Sequence, residues 1–321
     1  MAKFSVIIPV YNRPNELDEL LETLTRQTFK DFEAIVVEDG SAIKSDKVVE
    51  KYSGLLDIKY FHKQNSGQGF TRNFGFEKAS GAYFVIFDSD ILVPPHYFET
   101  IDREIAKRRL DAFGGPDREH PSFTPVQKAI SYSMTSLLTT GGIRGGKKRL
   151  ASFHPRSFNM GLSRKVYESC GGFAITRMAE DLEFSIRIIR AGFKVGLIPE
   201  AFVYHKRRTS FMQFFKQLFF FGRGRINIVR FYPDQLKPLH ALPAAYVLGM
   251  VLLIALSFVS PFWAGILLLI FGLYFFAIFV HSLFKTKELK VAILSVVASF
   301  IQLAAYGLGF HFELFRFLRK R

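Results

Sequence analysis

The sequence predicts an α/β domain with a mostly parallel sheet, followed by an all-α membrane region, over 321 residues. Two observations carry this. Short β-branched runs alternate with helical periodicities through the first part of the chain, the pattern of a parallel sheet layered with helices. Farther on, Lys237 and Lys285 enclose a stretch without one Asp, Glu, Lys or Arg. That stretch is far longer than the roughly 20 apolar residues a spanning helix needs.

The elements follow in order. Phe4 to Val10 is an apolar run ending near Pro9 and reads as a buried parallel strand. Pro14 to Arg26 carries Leu17, Leu20, Leu21 and Leu24 at helical spacing, with Pro14 suited to a first turn. Phe32 to Val37 and Ile58 to Phe61 read as strands, Gly69 to Ala79 as a helix and Tyr83 to Phe87 as a fourth strand. The N-terminus enters its first strand too soon for a secretory signal, so this domain is expected in the cytoplasm. Charge is only 22% of the chain and aromatics reach 16%, which excludes disorder. One cysteine, Cys170, excludes a disulfide framework or a cysteine zinc site and reads as a small buried hydrophobe.

The apolar stretch holds two spans, about 241–260 and 262–283, broken at Ser260-Pro261, and 291–312 is again uncharged. A hairpin returns the Lys285–Lys290 loop to the cytoplasm, as the positive-inside rule prefers. A third full span would put the basic tail from Arg316 outside, so either the rule breaks there or one segment is re-entrant or interfacial. Before the spans, Ala201 to Pro233 has no acid but interleaves Lys216, Arg223, Arg225 and Arg230 with Phe214, Phe215 and Phe219. Beside spans, this mixture predicts a helix on an anionic leaflet. Net charge is +15, but no recognition motif accompanies it, so nucleic acid is not the expected partner. The expected boundaries are 1–210 for the α/β domain, 211–237 for the interface segment and 238–321 for a membrane region of two to three spans.

Polar motifs stand at the strand ends, where ligands bind in such sheets. Asp88-Ser89-Asp90 places two carboxylates where they can meet a hard cation, itself able to neutralise a diphosphate. Glu38-Asp39-Gly40-Ser41 offers an acceptor for a base or ribose, or an ordinary turn. Gly67 to Asn73 is a glycine-rich helix start with Arg72 as a fixed charge, or simply a turn. Glu180-Asp181 opens an amphipathic helix, which favours its dipole, yet an acid aimed into a cleft can deprotonate a hydroxyl. His205 is a metal ligand or a structural histidine.

Taken together, SVIIPVYNRP, VVEDGS, GQGFTRNFG, FDSD, NMGLSR, GGF and EDLEFSIRIIRAG resemble the family 2 glycosyltransferases over roughly residues 3–210. The resemblance implies a GT-A fold and an inverting transferase using a nucleotide-diphospho-sugar, with Mn2+ or Mg2+. It places Pro9, Tyr11, Asn12 and Asp39 at the nucleoside, with Asp39 reading the base and so suggesting uridine. Gly67, Arg72, Asp88 and Ser89 fall at the donor, and Asp88, Asp90 and His205 at the metal. Asp181 matches the catalytic base, with Glu180 beside it. Asn159 to Arg164, with Asn159 and Gly161, lies where these enzymes meet the acceptor.

The processive members carry Q-x-x-R-W after the Glu-Asp pair, whereas the single tryptophan here is Trp263, so transfer of one sugar is expected. The basic block from Tyr132 to Arg149, including Arg144, reads as a mobile loop over phosphate or as a solvated surface loop. With membrane segments present, the expected acceptor is a polyprenyl-diphosphate-linked saccharide of surface polysaccharide assembly, at the cytoplasmic face of the inner membrane. A bare polyprenyl phosphate is the enzymatic alternative, and an inactive membrane-anchored scaffold is the alternative of another class.

Overall fold

The computed structural model describes residues 2–140 and 153–319. Contacts divide them between two units, each described by itself. The first is built from Met1–His120 and Ser152–Lys206, the second from the described parts of Pro121–Ala151 and Arg207–Arg321. Residues 121–140 therefore join the second unit, and the first ends four residues before the boundary expected at 210.

The first unit begins β1 (Phe4–Val10), α1 (Pro14–Thr25), β2 (Phe32–Asp39), α2 (Asp46–Tyr52), β3 (Ile58–Lys63), α3 (Gln68–Lys78) and β4 (Tyr83–Phe87). Apart from α2, which the sequence reading did not include, these are the expected elements, with β2 and β3 each two residues longer at their carboxyl ends. Next come β5 (Ile91–Leu92), α4 (Tyr97–Arg108), β6 (Ala112–Gly114) and β7 (Asp117–Arg118). The chain leaves for the second unit and returns as β8 (Asn159–Ser163), α7 (Arg164–Cys170), α8 (Glu180–Arg190), β9 (Val195–Leu197) and β10 (Val203–His205).

The main sheet has the order β3-β2-β1-β4-β8-β6-β9. Its first four strands are parallel, β8 runs against β4 and β6, and β9 is parallel to β6. β1 lies at the centre of the parallel strands, and its apolar residues are buried on both faces, as its unbroken hydrophobic run requires. On one face Leu17, Leu20, Leu21 and Leu24 of α1 join Val6, Ile8 and Phe98. On the other, Ile7, Ile35 and Val37 meet Phe76, Phe173 and Phe184. Each such leucine contributes about 1.5–3 kcal/mol of burial. A second sheet, β5-β10-β7, pairs His205 with Ile91 and so folds the end of the unit back beside Asp90.

The second unit contains α5 (Pro125–Thr135), α6 (Leu137–Thr140), α9 (Phe211–Val229), α10 (Pro238–Val259), α11 (Pro261–Thr286) and α12 (Leu289–Leu318). The break between α10 and α11 falls at Ser260-Pro261, where proline starts the next helix. α9 lies along α12 at close range: a Cβ at Gly222 would strike the Tyr306 carbonyl, and one at Gly309 the Phe219 carbonyl. Gly307 does the same for α10, facing the Pro243 carbonyl. Small residues at these crossings bring backbones together where apolar burial gives no net drive. The buried Glu313 of α12 receives Arg223 of α9 and Arg230 just past its end, both at 2.9 Å.

A buried carboxylate also fastens the amino end of the sheet. Glu33 of β2 accepts from Ser5 Oγ at 2.6 Å, Ser80 N at 2.6 Å, Ser80 Oγ at 2.7 Å and Lys59 Nζ at 2.6 Å. Burial pushes its pKa up, but these donors outweigh burial and hold it at about 2. Because the folded value lies below the ordinary 4.5, the charged form stabilises the fold at neutral pH and loses that effect as pH falls towards 2. Glu33→Gln should cost about 1–3 kcal/mol at pH 7. In thermal unfolding followed by circular dichroism, its deficit should shrink as pH drops below about 4.5.

Candidate active site

The site forms at the carboxyl ends of β1, β2 and β4. After β1 the chain turns through Asn12 at a φ of 53°. The Asn12 N–H donates to the Ser41 hydroxyl at 2.8 Å, and the Asn12 side-chain oxygen accepts from Ala42 and Ile43 N–H at 2.8 and 3.1 Å. Asn12 thus braces the loop after β2. Pro9 is half-buried at the strand end, and Tyr11 stands 53% exposed, its ring open to a ligand.

Asp39 ends β2. Its carboxylate accepts from Lys63 Nζ at 2.8 Å, Ser66 N–H at 2.9 Å and Gly67 N–H at 3.0 Å. Burial raises its pKa, but Lys63 and the backbone donors hold it below the usual carboxylate range. It therefore shapes the glycine-rich loop before α3, where Gly67 adopts a φ of 86° that strains any other residue.

Arg72 is the centre of the arrangement. It is 2% exposed, and Nη2 donates to Asp88 at 2.7 Å while Nη1 donates to Glu180 at 3.2 Å. Its guanidinium lies 5.4 Å from the Phe173 ring centroid. The expectation that Arg72 lines the donor is corrected here. It is sealed beneath the surface, a strut joining the Asp-x-Asp turn to the Glu-Asp turn.

Asp88, Asp90 and His205 come together, each offering a ligand atom within 4.8 Å of the others. His205 Nε2 lies 3.1 Å from Asp90 Oδ1, and Lys206 N–H donates to the Asp90 carbonyl at 3.0 Å. The other imidazole nitrogen, Nδ1, is buried with no hydrogen-bond partner among the described residues. Two carboxylates and an imidazole form a donor set suited to Mn2+ or Mg2+, so these residues fit the implied cation. Ser89 is buried between the two aspartates. Arg13, which the motif contains but sequence reasoning passed over, donates to Asp90 Oδ2 at 2.6 Å.

Across from this cluster, Met178 and Ala179 both have left-handed backbones, at φ 63° and 70°. Such geometry costs roughly 1–2 kcal/mol per residue and delivers Glu180 and Asp181 on the first turn of α8. Glu180 is buried, and burial together with the Asp181 charge raises its pKa, opposed by Arg72 and Gln68. Asp181 is the more open of the two, at 18% against 4% side-chain exposure. Its Oδ1 accepts from Leu182 N–H at 2.7 Å and from Arg156 at 3.3 Å. Nothing in the sequence signalled Arg156, which stands outside every motif.

Two acceptor expectations are corrected. Asn159 is wholly buried, its oxygen taken by Tyr97 and its amide donating to the Ala201 carbonyl at 2.8 Å. Gly161 lies in the middle of β8, where a Cβ would strike the Phe113 ring. Both are sheet framework and not acceptor contacts. Arg144 lies outside the described residues.

The fold and these motifs define a class, the GT-A type α/β domain, with a centre able to hold a metal ion. The chain belongs to glycosyl transferase family 2, whose model matches residues 5–171. The model of glycosyl transferase family 21 matches residues 142–310. An uncharacterized glycosyltransferase of Rickettsia bellii is 44% identical over 91 residues, 28% of this chain and 13% of that one. Glycosyltransferase GlyA of Streptococcus pneumoniae is 36% identical over 110 residues, 34% of this chain and 16% of that one. EpsJ of Bacillus subtilis is 33% identical over 214 residues, 64% of this chain and 62% of that one. The chain thus spans less than two thirds of the length of each. The mannosyltransferase PcManGT of Pyrobaculum calidifontis, solved with GDP-Man and Mn2+, superposes with a TM-score of 0.66 at 18% identity, over 94% of this chain and 86% of that one.

Removing the strut has a readable consequence. Arg72→Met leaves two acids without their buried counter-charge and should cost about 3–5 kcal/mol. Without Arg72 the Glu180 pKa rises further, so the variant folds best with that acid protonated. Its deficit in melting temperature should therefore be larger at pH 8 than at pH 5.

Proposed function

We propose that this protein transfers a single sugar, with inversion, from a nucleotide-diphospho-sugar to a membrane-associated acceptor. The observation that carries the reading is the Asp88–Asp90–His205 cluster facing an accessible Asp181 across the buried Arg72. An ion-binding centre for a diphosphate and a base for a hydroxyl are the two parts such a transfer needs. The relatives' names and the ligands of PcManGT support the donor class. Uridine rests on the reading of Asp39 alone.

When bound at Asp88, Asp90 and His205, Mn2+ or Mg2+ supplies positive charge that neutralises the donor diphosphate. Tyr11 offers its exposed ring to the base and Asp39 an acceptor to a base N–H. Asp181 takes the proton of the acceptor hydroxyl, whose oxygen attacks the anomeric carbon from the face opposite the diphosphate. The C–O bond forms as the bond to the diphosphate breaks, so the configuration inverts in one step. Arg156 and the Leu182 N–H hold the Asp181 carboxylate in one orientation. Glu180, kept by Arg72 and Gln68, fixes the turn that presents it.

The three apolar helices support a membrane-resident acceptor, a polyprenyl-diphosphate-linked saccharide on the cytoplasmic face. Names such as EpsJ support a place in polysaccharide assembly.

Asp181→Asn should lower turnover by about 10²–10⁴-fold, the usual worth of a general base. Nucleotide binding measured by calorimetry should stay within a factor of two, and unchanged turnover would remove Asp181 from this role. Asp90→Ala should abolish the part of UDP binding that depends on Mn2+ and disappears in EDTA. UDP binding insensitive to both would speak against the metal centre.

A further inference from the structure

Three helices of the second unit are long and apolar enough to cross a membrane, but their surroundings differ. Over their most apolar windows α10 is 6% buried and α11 11%, whereas α12 is 50% buried. We infer that only α10 and α11 cross the bilayer. α12, flanked by α9, lies in the plane of the leaflet at the base of that hairpin, with an arginine–phenylalanine belt around Glu313 against anionic headgroups. This rests on the reading that the apolar helices enter a membrane.

The path of α12 carries the inference. Ser295 bonds Ser282 near the end of α11 at 2.9 Å. Phe300 meets Tyr246 of α10 and Phe275 of α11 at 6.3 and 6.2 Å between ring centroids. Gly307 then abuts Pro243 and Val247, and His311 Nε2 lies 2.9 Å from the Ala244 carbonyl. From Phe300 to His311, about 16 Å of helix, α12 thus passes only about one turn of α10. A helix running beside α10 would advance along it residue for residue. α12 instead crosses it steeply, near its first turns.

Beyond that crossing the hairpin stands alone. From residue 250 to 270 only Ala264 is buried, and Phe258, Val259 and Phe262 are 85%, 82% and 71% exposed. The part of α10 past Val247 is about 18 Å long. With α12 sunk about 5–10 Å into the headgroup boundary, this makes up most of a ~30 Å hydrocarbon core.

α9 supplies a second, independent constraint. It follows α12 in parallel: Phe214 and Leu218 cluster with Ala298 and Ala305, Gly222 abuts Tyr306, and Arg223 and Arg230 reach Glu313. Were α12 to span, its midpoint near residue 303 would lie at mid-bilayer and carry α9 in beside it. The exposed Lys216 would then sit in hydrocarbon, a costly place for a charge. In the plane of the leaflet Lys216 reaches headgroups.

Between these contacts α12 keeps exposed apolar surface that fits the acyl boundary, at Ile293, Val297, Leu308 and Phe315. At its end the guanidinium groups of Arg223 and Arg316 lie 5.2 and 5.8 Å from the Phe312 ring, and that of Arg319 lies 4.2 Å from Phe315. Glu313 pairs with three arginines, Arg223, Arg230 and Arg316, which leaves net positive charge in this cluster for anionic lipid. Arg316 and Arg319 then share a face with Lys285, Lys287 and Lys290, in keeping with the positive-inside rule.

The test uses single cysteines in a full-length Cys170→Ser background, labelled in sealed vesicles with a membrane-impermeant maleimide. Leu318→Cys should label from the same side as Thr286→Cys, and Ser260→Cys from the opposite side. Leu318→Cys labelling with Ser260→Cys would overturn the in-plane helix while keeping the membrane reading. Ser260→Cys labelling with Thr286→Cys would overturn both. Bromolipid quenching of a fluorophore at Ile293→Cys, Phe300→Cys, Leu308→Cys and Phe312→Cys should report one shared depth. A depth that peaks in the middle of the helix would again mean a span. Finally, a fluorophore at Leu318→Cys should sit deeper in vesicles containing phosphatidylglycerol than in phosphatidylcholine alone, and equal depth would remove the anionic contact.

Discussion

The first unit depends on one buried guanidinium. Arg72 comes from α3, Asp88 from the turn after β4 and Glu180 from the start of α8, so a single side chain joins three elements distant in sequence. Burying a charge is costly unless it is paired, and the two acids are held close only because the cation lies between them. The dependence is mutual. Remove the cation and two carboxylates repel in a poorly hydrated space; remove either acid and Arg72 keeps too little counter-charge. The positions of the Asp88–Asp90 turn and of Asp181 follow from this balance.

The parallel strands were legible because β1, β2 and β4 are buried on both faces and therefore uniformly apolar, and α1 because its leucines repeat at helical spacing. The short strands β5, β6, β7, β9 and β10 were not, since two or three residues carry no periodicity. Their pairing is what sets His205 beside Asp90, a proximity made by a register between Ile91 and His205 that no local pattern encodes. Arg72 was visible as a charge at a helix start, but its burial was not. Whether an arginine faces a ligand or is paired with Asp88 and the buried Glu180 depends in part on a residue more than a hundred positions away. Asn159 was misread for a related reason: a polar residue in a motif invites a functional reading, but here it satisfies Tyr97 and a carbonyl inside the sheet.

In the second unit the organising constraint is backbone approach. Gly222, Gly307 and Gly309 bring α9 and α10 against α12, and the polar groups of α12 face inward at Ser295, Ser299, Gln302 and Glu313. Length and hydropathy treat α10, α11 and α12 alike, so sequence alone leaves the number of crossings open. What distinguishes them is which sides are covered, and that is a property of the packed helices and not of composition.

The interleaving of the two units along the chain bears on the order in which they mature during synthesis. The ten strands among the described residues all precede residue 206, so both sheets of the first unit can close before α9 to α12 leave the ribosome. The segment at α5 has the opposite fate. Its Ala129, Ile130 and Met134 are buried by Phe214 and Leu218 of α9 and by Ala298 and Ala305 of α12. Their cover is complete only once α12 has been made. The sheets of the first unit thus close while the apolar residues of α5 still lack their full cover, which a chaperone or a nearby lipid surface can supply until α12 is made.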